Sequence, residues 1–170
     1  MTQEHGYTVV RAFPGFDVRR YPPAVLLQVQ VSGDFRHAAR RGAGVLFRYL
    51  GGDNLAARTL LPASPVLQEQ AGESTHLVSM ILPATDPAEV PAPTDESVLL
   101  KALPAHEAAA VRFPGGWRSS RFTEHGRELL AAVNSHGLEA LGAVYFARFD
   151  PFWSPRLRSL NEALVRVTSA

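Results

Sequence analysis

Hydrophobic side chains recur along most of the chain with the two-residue period that is typical of β-strands. Between residues 24 and 31, for example, valine or leucine occupies every second position, so these side chains would share one face of a strand. Clusters of glycine and proline separate the alternating segments. The pattern predicts strands over residues 7–11, 16–21, 24–31, 59–68, 75–82, 97–103, 107–113, 144–149 and 163–167.

Two segments have the longer period of an amphipathic helix. In residues 35–50, small and apolar side chains fall on one face when they are projected at about 100° per residue. Asp34 precedes this segment as a candidate N-cap, and Gly51-Gly52 follows its last apolar position. A second helix is predicted over residues 117–135, before His136-Gly137.

The two halves of the chain resemble each other. The segment from Val31 to Arg36 lies 82 residues before Phe113 to Arg118, and each runs from a strand end through a glycine turn to an aromatic residue and an arginine. At the same offset Gly44 matches Gly126. The pattern therefore predicts a single α+β domain over residues 1–170, with pseudo-repeats at about 7–85 and 96–168. In this fold two βαββ repeats form a distorted antiparallel β-barrel with two flanking helices.

The composition is that of a globular protein. Of the 170 residues, 46% are hydrophobic and 19% are charged, and the formal net charge of +1 favours neither nucleic acid nor an anionic membrane surface. The chain has no cysteine, which excludes disulfides and covalent attachment of a cofactor through thiols. No apolar run is long enough for a membrane span, and the polar start does not resemble a signal peptide. We expect a cytoplasmic protein without a nucleic-acid partner.

Motifs that would indicate catalysis are missing from the sequence. It has no G-x-S-x-G element and no glycine-rich phosphate loop after a strand. The six histidines lack the close spacing of a local zinc site. These observations favour a binding protein over an enzyme.

A series of short motifs follows one another in order over nearly the whole chain. They are Phe16-Asp17-Val18-Arg19-Arg20-Tyr21, Tyr49-Leu50-Gly51-Gly52-Asp53-Asn54, Ser64-Pro65-Val66, Ile81-Leu82-Pro83, Val111-Arg112-Phe113-Pro114-Gly115-Gly116, Phe149-Asp150-Pro151 and Asn161-Glu162. Together they resemble the SOUL heme-binding proteins, a family that shares its fold with gyrase-inhibitor-like and effector-binding domains. The resemblance implies noncovalent binding of heme or another small-molecule tetrapyrrole, for buffering, transport or sensing.

The resemblance also implies a binding surface on one flank of the first helix. The corresponding positions are His37, Arg40, Ala43, Gly44, Phe47 and Arg48. Gly44 and Phe47 would support a flat apolar ligand, while Arg40 and Arg48 would pair with its carboxylates. His37 would supply an imidazole nitrogen to iron. Some members of the family have an axial histidine in the early strand, at the position that is Arg20 here.

Three other interpretations remain open for the sequence. The helix flank is also what a solvated helix face looks like. The shared fold would permit a pocket for other hydrophobic or cationic small molecules, lined by Trp117, Tyr145 and Glu162, although a buried Glu162 bonded to the backbone or to Tyr145 would be purely structural. A heme-modifying enzyme or a hydrolase is the third interpretation, and a buried carboxylate with a raised pKa would support it.

Overall fold

A computed structural model describes residues 3–115, 118–149 and 160–169. The strands are β1 (Gln3–Glu4), β2 (Thr8–Phe13), β3 (Phe16–Tyr21), β4 (Ala24–Ser32), β5 (Ala63–Gln70), β6 (Thr75–Leu82), β7 (Val98–Leu103), β8 (His106–Pro114), β9 (Ala140–Arg148) and β10 (Leu160–Val167). The helices are α1 (Phe35–Leu50) and α2 (Ser119–Ser135). The predicted α+β class is confirmed by these elements.

The chain divides into two compact units. Unit 1 consists of Met1–His5 and Pro23–Pro104, and unit 2 consists of Gly6–Pro22 and Ala105–Ala170. The two earliest long strands therefore belong to the same unit as the C-terminal half of the chain. Each unit contains a strand, a helix and two further strands in that order along the sequence.

Unit 1 is an antiparallel sheet with one helix on it. The strands β5, β6, β4 and β7 follow one another across the sheet, and β1 pairs with β5 in parallel. Helix α1 packs on β4 and β6. The alternating residues Val25, Leu27, Val29 and Val31 are buried, as the sequence predicts. Gly42 permits the close approach of helix and sheet, because a Cβ atom there would lie 2.7 Å from Val78 Cβ.

Unit 2 is built in a similar way. The strands β2, β3, β8, β10 and β9 follow one another across its sheet, and α2 packs on β8, β9 and β10. Phe122 of α2 contacts Phe113 and Phe146 edge to face, at centroid distances of 5.2 Å in both pairs. Such aromatic contacts stabilise the helix on the sheet. The sheet face opposite α2 holds the polar residues described below.

The predicted distorted barrel is not formed within either unit. Among the described strands, β7 pairs only with β4 and β2 pairs only with β3, so each sheet ends at an open edge. A barrel requires every strand to pair on both sides. The correction concerns closure of the sheets and leaves the strand and helix content unchanged.

The helices of the structure are short. Over residues 3–115, 118–149 and 160–169, no helix combines the length and the hydropathy that a membrane crossing needs.

Candidate functional site

The exposed flank of α1 is the surface that the resemblance singles out. The helix buries Ala38, Gly42 and Leu46 against the sheet of unit 1. Five of the six predicted ligand-binding residues lie on its exposed side, namely His37, Arg40, Gly44, Phe47 and Arg48. We call these five residues the α1 flank.

Ala43 does not belong to this surface. Its side chain is only 3% exposed and lies in the core of unit 1, away from the five exposed residues. The physical reason is its angular position: Ala43 follows Ala39 by one turn and precedes Leu46 by three residues, and both of these side chains are in the core.

His37 is oriented by the residue that caps its helix. Asp34 accepts hydrogen bonds from the backbone N–H groups of Arg36 and His37 through Oδ1, and its Oδ2 lies 2.5 Å from His37 Nδ1. These hydrogen bonds lower the pKa of Asp34, so the carboxylate stays ionised and can hold the Nδ1 proton. In the tautomer that carries its proton on Nδ1, the other ring nitrogen, Nε2, is an acceptor.

The arginines of α1 differ in how firmly they are held. Arg41 donates to the carbonyl oxygen of Ser32 at 3.0 Å, which fixes it beside the N-terminus of the helix. Arg48 forms an exposed ion pair with Asp95, at 3.9 Å between Nη2 and Oδ2. Among the described residues Arg40 has no carboxylate within salt-bridge distance. Arg40 could therefore bind an anion directly, and Arg48 could do so after it gives up a weak ion pair.

An apolar strip lies between these basic groups. The Phe47 side chain is 39% exposed, which is high for a phenylalanine on a helix that packs on a sheet. At Gly44 a Cβ atom would meet nothing within 4 Å, so the backbone of the helix is uncovered there. The α1 flank thus combines an uncovered backbone, an exposed aromatic ring, an oriented imidazole and guanidinium groups.

The alternative pocket is described only in part, because Trp117 lies outside the described residues. Glu162 on β10 is 1% exposed and lies in unit 2. The register pairs Tyr145 with Leu164, which places Tyr145 and Glu162 on the same face of the sheet. The two residues therefore share a face, as a common pocket would require.

Glu162 is bound by two arginines. Its Oε1 accepts hydrogen bonds from Arg19 Nη1 at 2.9 Å and from Arg112 Nε at 3.0 Å. The guanidinium carbon of Arg19 also lies 4.2 Å from the centre of the Tyr7 ring. Since the carboxylate already has two cationic partners, this arrangement does not favour a cationic ligand at Glu162. Removal of one partner from such a buried pair typically costs about 3–5 kcal/mol.

Tyr21 completes this network. Arg19 Nη1 donates to the Tyr21 hydroxyl at 3.4 Å. Burial raises the pKa of Tyr21 to about 12, so the phenol remains neutral at physiological pH. Burial alone would lower the pKa of Arg19, but the hydrogen bond to Tyr21 and the charge of Glu162 raise it above its ordinary value. Both groups are therefore fixed in one protonation state and cannot exchange protons near pH 7.

The sequence prediction missed the partners of Glu162, although a signal was present. Asp17, Arg19 and Tyr21 alternate along β3, so their side chains share one polar face, which indicates that this face has polar partners. What the pattern could not give was the pairing of β3 and β10 with β8, which brings Arg19 and Arg112 to the same carboxylate.

The sequence argument against a zinc site considers only the spacing of histidines along the chain. In the part of the chain that the structure describes, no three histidine, aspartate or glutamate side chains come together as metal ligands.

Comparison with solved structures shows where similar folds occur. The crystal structure of the EcmrR C-terminal domain matches with a TM-score of 0.64 at 12% identity, covering 96% of this chain and 99% of that chain. EcmrR in a complex with DNA matches with a TM-score of 0.69 at 12% identity, over 91% of this chain and 57% of that chain. A hydrolase from Listeria innocua matches with a TM-score of 0.58 at 9% identity, over 99% and 94%. At these identities the likeness shows the fold alone.

The comparison with family models is more specific. No match is found among curated proteins. The model described as SOUL heme-binding protein matches residues 2–166. Because this match spans nearly all of the 170 residues, the chain belongs to the SOUL heme-binding protein family.

Proposed function

We propose that this protein binds heme or a related tetrapyrrole noncovalently on the α1 flank, for buffering, transport or sensing. The observation that carries the proposal is the uncovered backbone at Gly44 beside the half-exposed ring of Phe47. A flat apolar ligand buries the most apolar surface where it can contact both an aromatic ring and an uncovered stretch of helix backbone. Membership of the SOUL family supports the choice of ligand.

The basic residues would orient the ligand. Arg40 and Arg48 are about one and three turns after His37 on the exposed side of the helix, which suits a ligand with two carboxylates at one edge. Arginine–carboxylate hydrogen bonds are stronger than neutral ones and fix geometry, while apolar contact supplies most of the affinity. Propionate binding at Arg48 would compete with its exposed ion pair to Asp95, which costs little to break.

The residues on the flank fit the iron of a heme as well as its ring. That iron, when bound, supplies an open coordination position that a neutral imidazole nitrogen can fill. Hydrogen bonding of one ring nitrogen to a carboxylate is the usual arrangement for a metal-binding histidine, since it fixes the tautomer and orients the ring. Asp34 provides this arrangement for His37. In our proposal His37 Nε2 would be the nitrogen that binds the iron.

A heme titration followed by Soret absorbance tests the proposal. We expect a red-shifted Soret band at micromolar heme for the wild-type protein. In Phe47→Asp the affinity should fall at least tenfold, because the carboxylate replaces the apolar contact and repels the propionates. In His37→Ala the affinity should fall less, but the band should move to the position of heme without an imidazole ligand.

Matched variants separate these effects from general damage to the fold. Leu55→Asp introduces the same charge at an exposed leucine away from the helix, and it should bind heme like the wild type. Arg40→Ala should weaken heme binding because it removes a partner of a propionate, and Arg127→Ala on α2 is its control. The proposal is wrong if wild-type protein gives no Soret shift, or if Phe47→Asp and Leu55→Asp bind equally well. An unchanged spectrum in His37→Ala would refute the proposal that His37 binds the iron.

A further inference from the structure

Unit 1 contains a cleft whose lining residues do not belong to the α1 flank. It has a volume of about 550 Å³, which is within the range of small-molecule sites. Apolar side chains from the segment before β5 and from the end of β6 line it, with one basic and one acidic residue. The principal lining residues are Arg58, Leu60, Leu61, Leu82, Glu89 and Val90.

Arg58 is held in place by the side chain of a buried asparagine. Asn54 is 5% exposed, and its Nδ2 donates to the carbonyl oxygen of Arg58 at 2.8 Å while its Oδ1 accepts from Arg58 N at 3.1 Å. The same Nδ2 donates to the carbonyl oxygen of Tyr49 at 3.0 Å. This clamp fixes the backbone of Arg58 relative to the end of α1, and it accounts for the asparagine of the Tyr49 to Asn54 motif.

The residue before Arg58 has an unfavourable backbone conformation. Ala57 has a φ of 48°, in the left-handed region that residues with a Cβ atom rarely adopt. Such strain persists where the surrounding structure imposes it, and it is found preferentially at functional sites. Ala57 lies between Asn54 and Arg58, the two residues that the clamp joins, and Arg58 follows it at the cleft.

The two charged side chains at the cleft, Glu89 and Arg58, differ in whether they already have partners. Glu89 Oε1 already accepts hydrogen bonds from Thr85 Oγ1 at 2.9 Å and from Asp86 N at 2.8 Å, so this carboxylate serves as a local cap. The guanidinium of Arg58 has no carboxylate within salt-bridge distance among the described residues. The unpaired charge of the cleft is thus positive, and it adjoins apolar walls that include Leu61, whose side chain is 74% exposed.

We propose that this cleft is a second binding site, and that it takes a small molecule with an apolar body and a single carboxylate. Arg58 pairs with the carboxylate, and the leucines of the cleft cover the apolar body. A ligand with a cationic head is disfavoured because its charge would be repelled by the guanidinium group of Arg58. The site is independent of the α1 flank, so binding here does not require that the protein bind heme.

The test uses 11-(dansylamino)undecanoic acid, whose fluorescence increases in an apolar environment. We expect saturable binding to the wild-type protein, displacement by decanoate, and no displacement by decylamine at the same concentration. In Arg58→Ala the affinity should fall roughly tenfold, since a charge-assisted hydrogen bond is lost while the backbone contacts of Asn54 remain. Arg58→Lys should retain part of the affinity, and Arg127→Ala in unit 2 should retain all of it.

Other results would overturn the proposal. Failure of the probe to bind, equal displacement by decanoate and decylamine, or unchanged binding in Arg58→Ala would each do so. Loss of probe binding in Phe47→Asp but not in Leu61→Asp would place the probe on the α1 flank instead. If Arg58→Ala binds heme with the affinity of the wild type, the cleft and the α1 flank are distinct sites.

Discussion

Buried polar residues show what single positions contribute to this protein. His76 on β6 is 4% exposed and lies below the first turn of α1, where its ring meets Phe35 edge to face at 6.0 Å. Gln68 Nε2 donates to the Phe35 carbonyl oxygen at 2.8 Å and lies 3.4 Å from His76 Nδ1. His76 falls within the strand that the sequence predicts over residues 75–82, but its partners come from β5 and α1 and could not be identified from spacing.

The environment of His76 predicts that stability falls in mild acid. Burial lowers the pKa of His76 below the 6.5 of an unfolded histidine, against opposing effects of Gly33 and of the charge of Asp34. The unfolded state therefore binds the proton first. This stabilising contribution is complete above about pH 6.5 and is lost as the pH falls through the lowered pKa of the folded state.

Urea denaturation at pH 7.5 and at pH 5.5 measures this effect. The free energy of unfolding should decrease between the two pH values in the wild type, and the decrease should be smaller in His76→Gln. His136→Gln, which removes a histidine of unit 2, is the comparison variant. An equal decrease in His76→Gln and wild type would show that other groups cause the pH dependence.

Helix α1 shows how far sequence patterns determine an element. Its bounds, its N-cap Asp34 and its buried face follow the prediction, because cap chemistry and helical period are local properties. The register of the repeat was less informative. It matched Gly44 with Gly126, yet the structure exposes Gly44 and packs Gly126 against Val144 and Phe146. Which glycine touches the sheet depends on how the helix is seated, and sequence offset does not give that.

The two glycines of α1 should respond oppositely to the same substitution. Gly42→Ala should destabilise the protein by about 1–3 kcal/mol, because the new methyl group would overlap Val78. Gly44→Ala should stabilise it by up to about 1 kcal/mol, because alanine favours a helix and finds open space. Thermal and urea unfolding of both variants measures these changes. Destabilisation of similar size in both would show that the helix is not seated as described.

Strand bounds were less accurate where side-chain hydrogen bonds compete with the sheet. A strand was expected from residue 59, but β5 begins at Ala63. The clamp of Asn54 on Arg58 and the proline at position 62 keep the preceding segment out of the ladder. The alternating pattern of residues 59–68 contains no sign of this clamp, because it depends on a side chain five residues before the predicted strand.

At the scale of the whole molecule, the sequence predicts the composition of the fold better than its closure. The α+β class and the SOUL resemblance could be read from the order of elements and motifs, and the family match confirms the resemblance. Whether the sheets close into a barrel could not be read from the sequence, since the pairing of edge strands is nonlocal. Nor did the half-to-half division predict that β2 and β3 belong to unit 2.

The proposal that the α1 flank binds a ligand requires that the surface at Gly44 remain uncovered. Gly44→Leu addresses this separately from folding. Leucine improves helix propensity by roughly 0.7 kcal/mol, and its Cβ atom would meet nothing within 4 Å, so the variant should be at least as stable as the wild type. Its side chain would nevertheless occupy the space of a flat ligand beside Phe47.

Soret titration of Gly44→Leu with heme, beside the wild type and with unfolding free energies for both, is therefore the decisive measurement. We predict a dissociation constant at least tenfold higher in Gly44→Leu, together with undiminished stability. Equal heme affinity in the two proteins would contradict binding on the α1 flank.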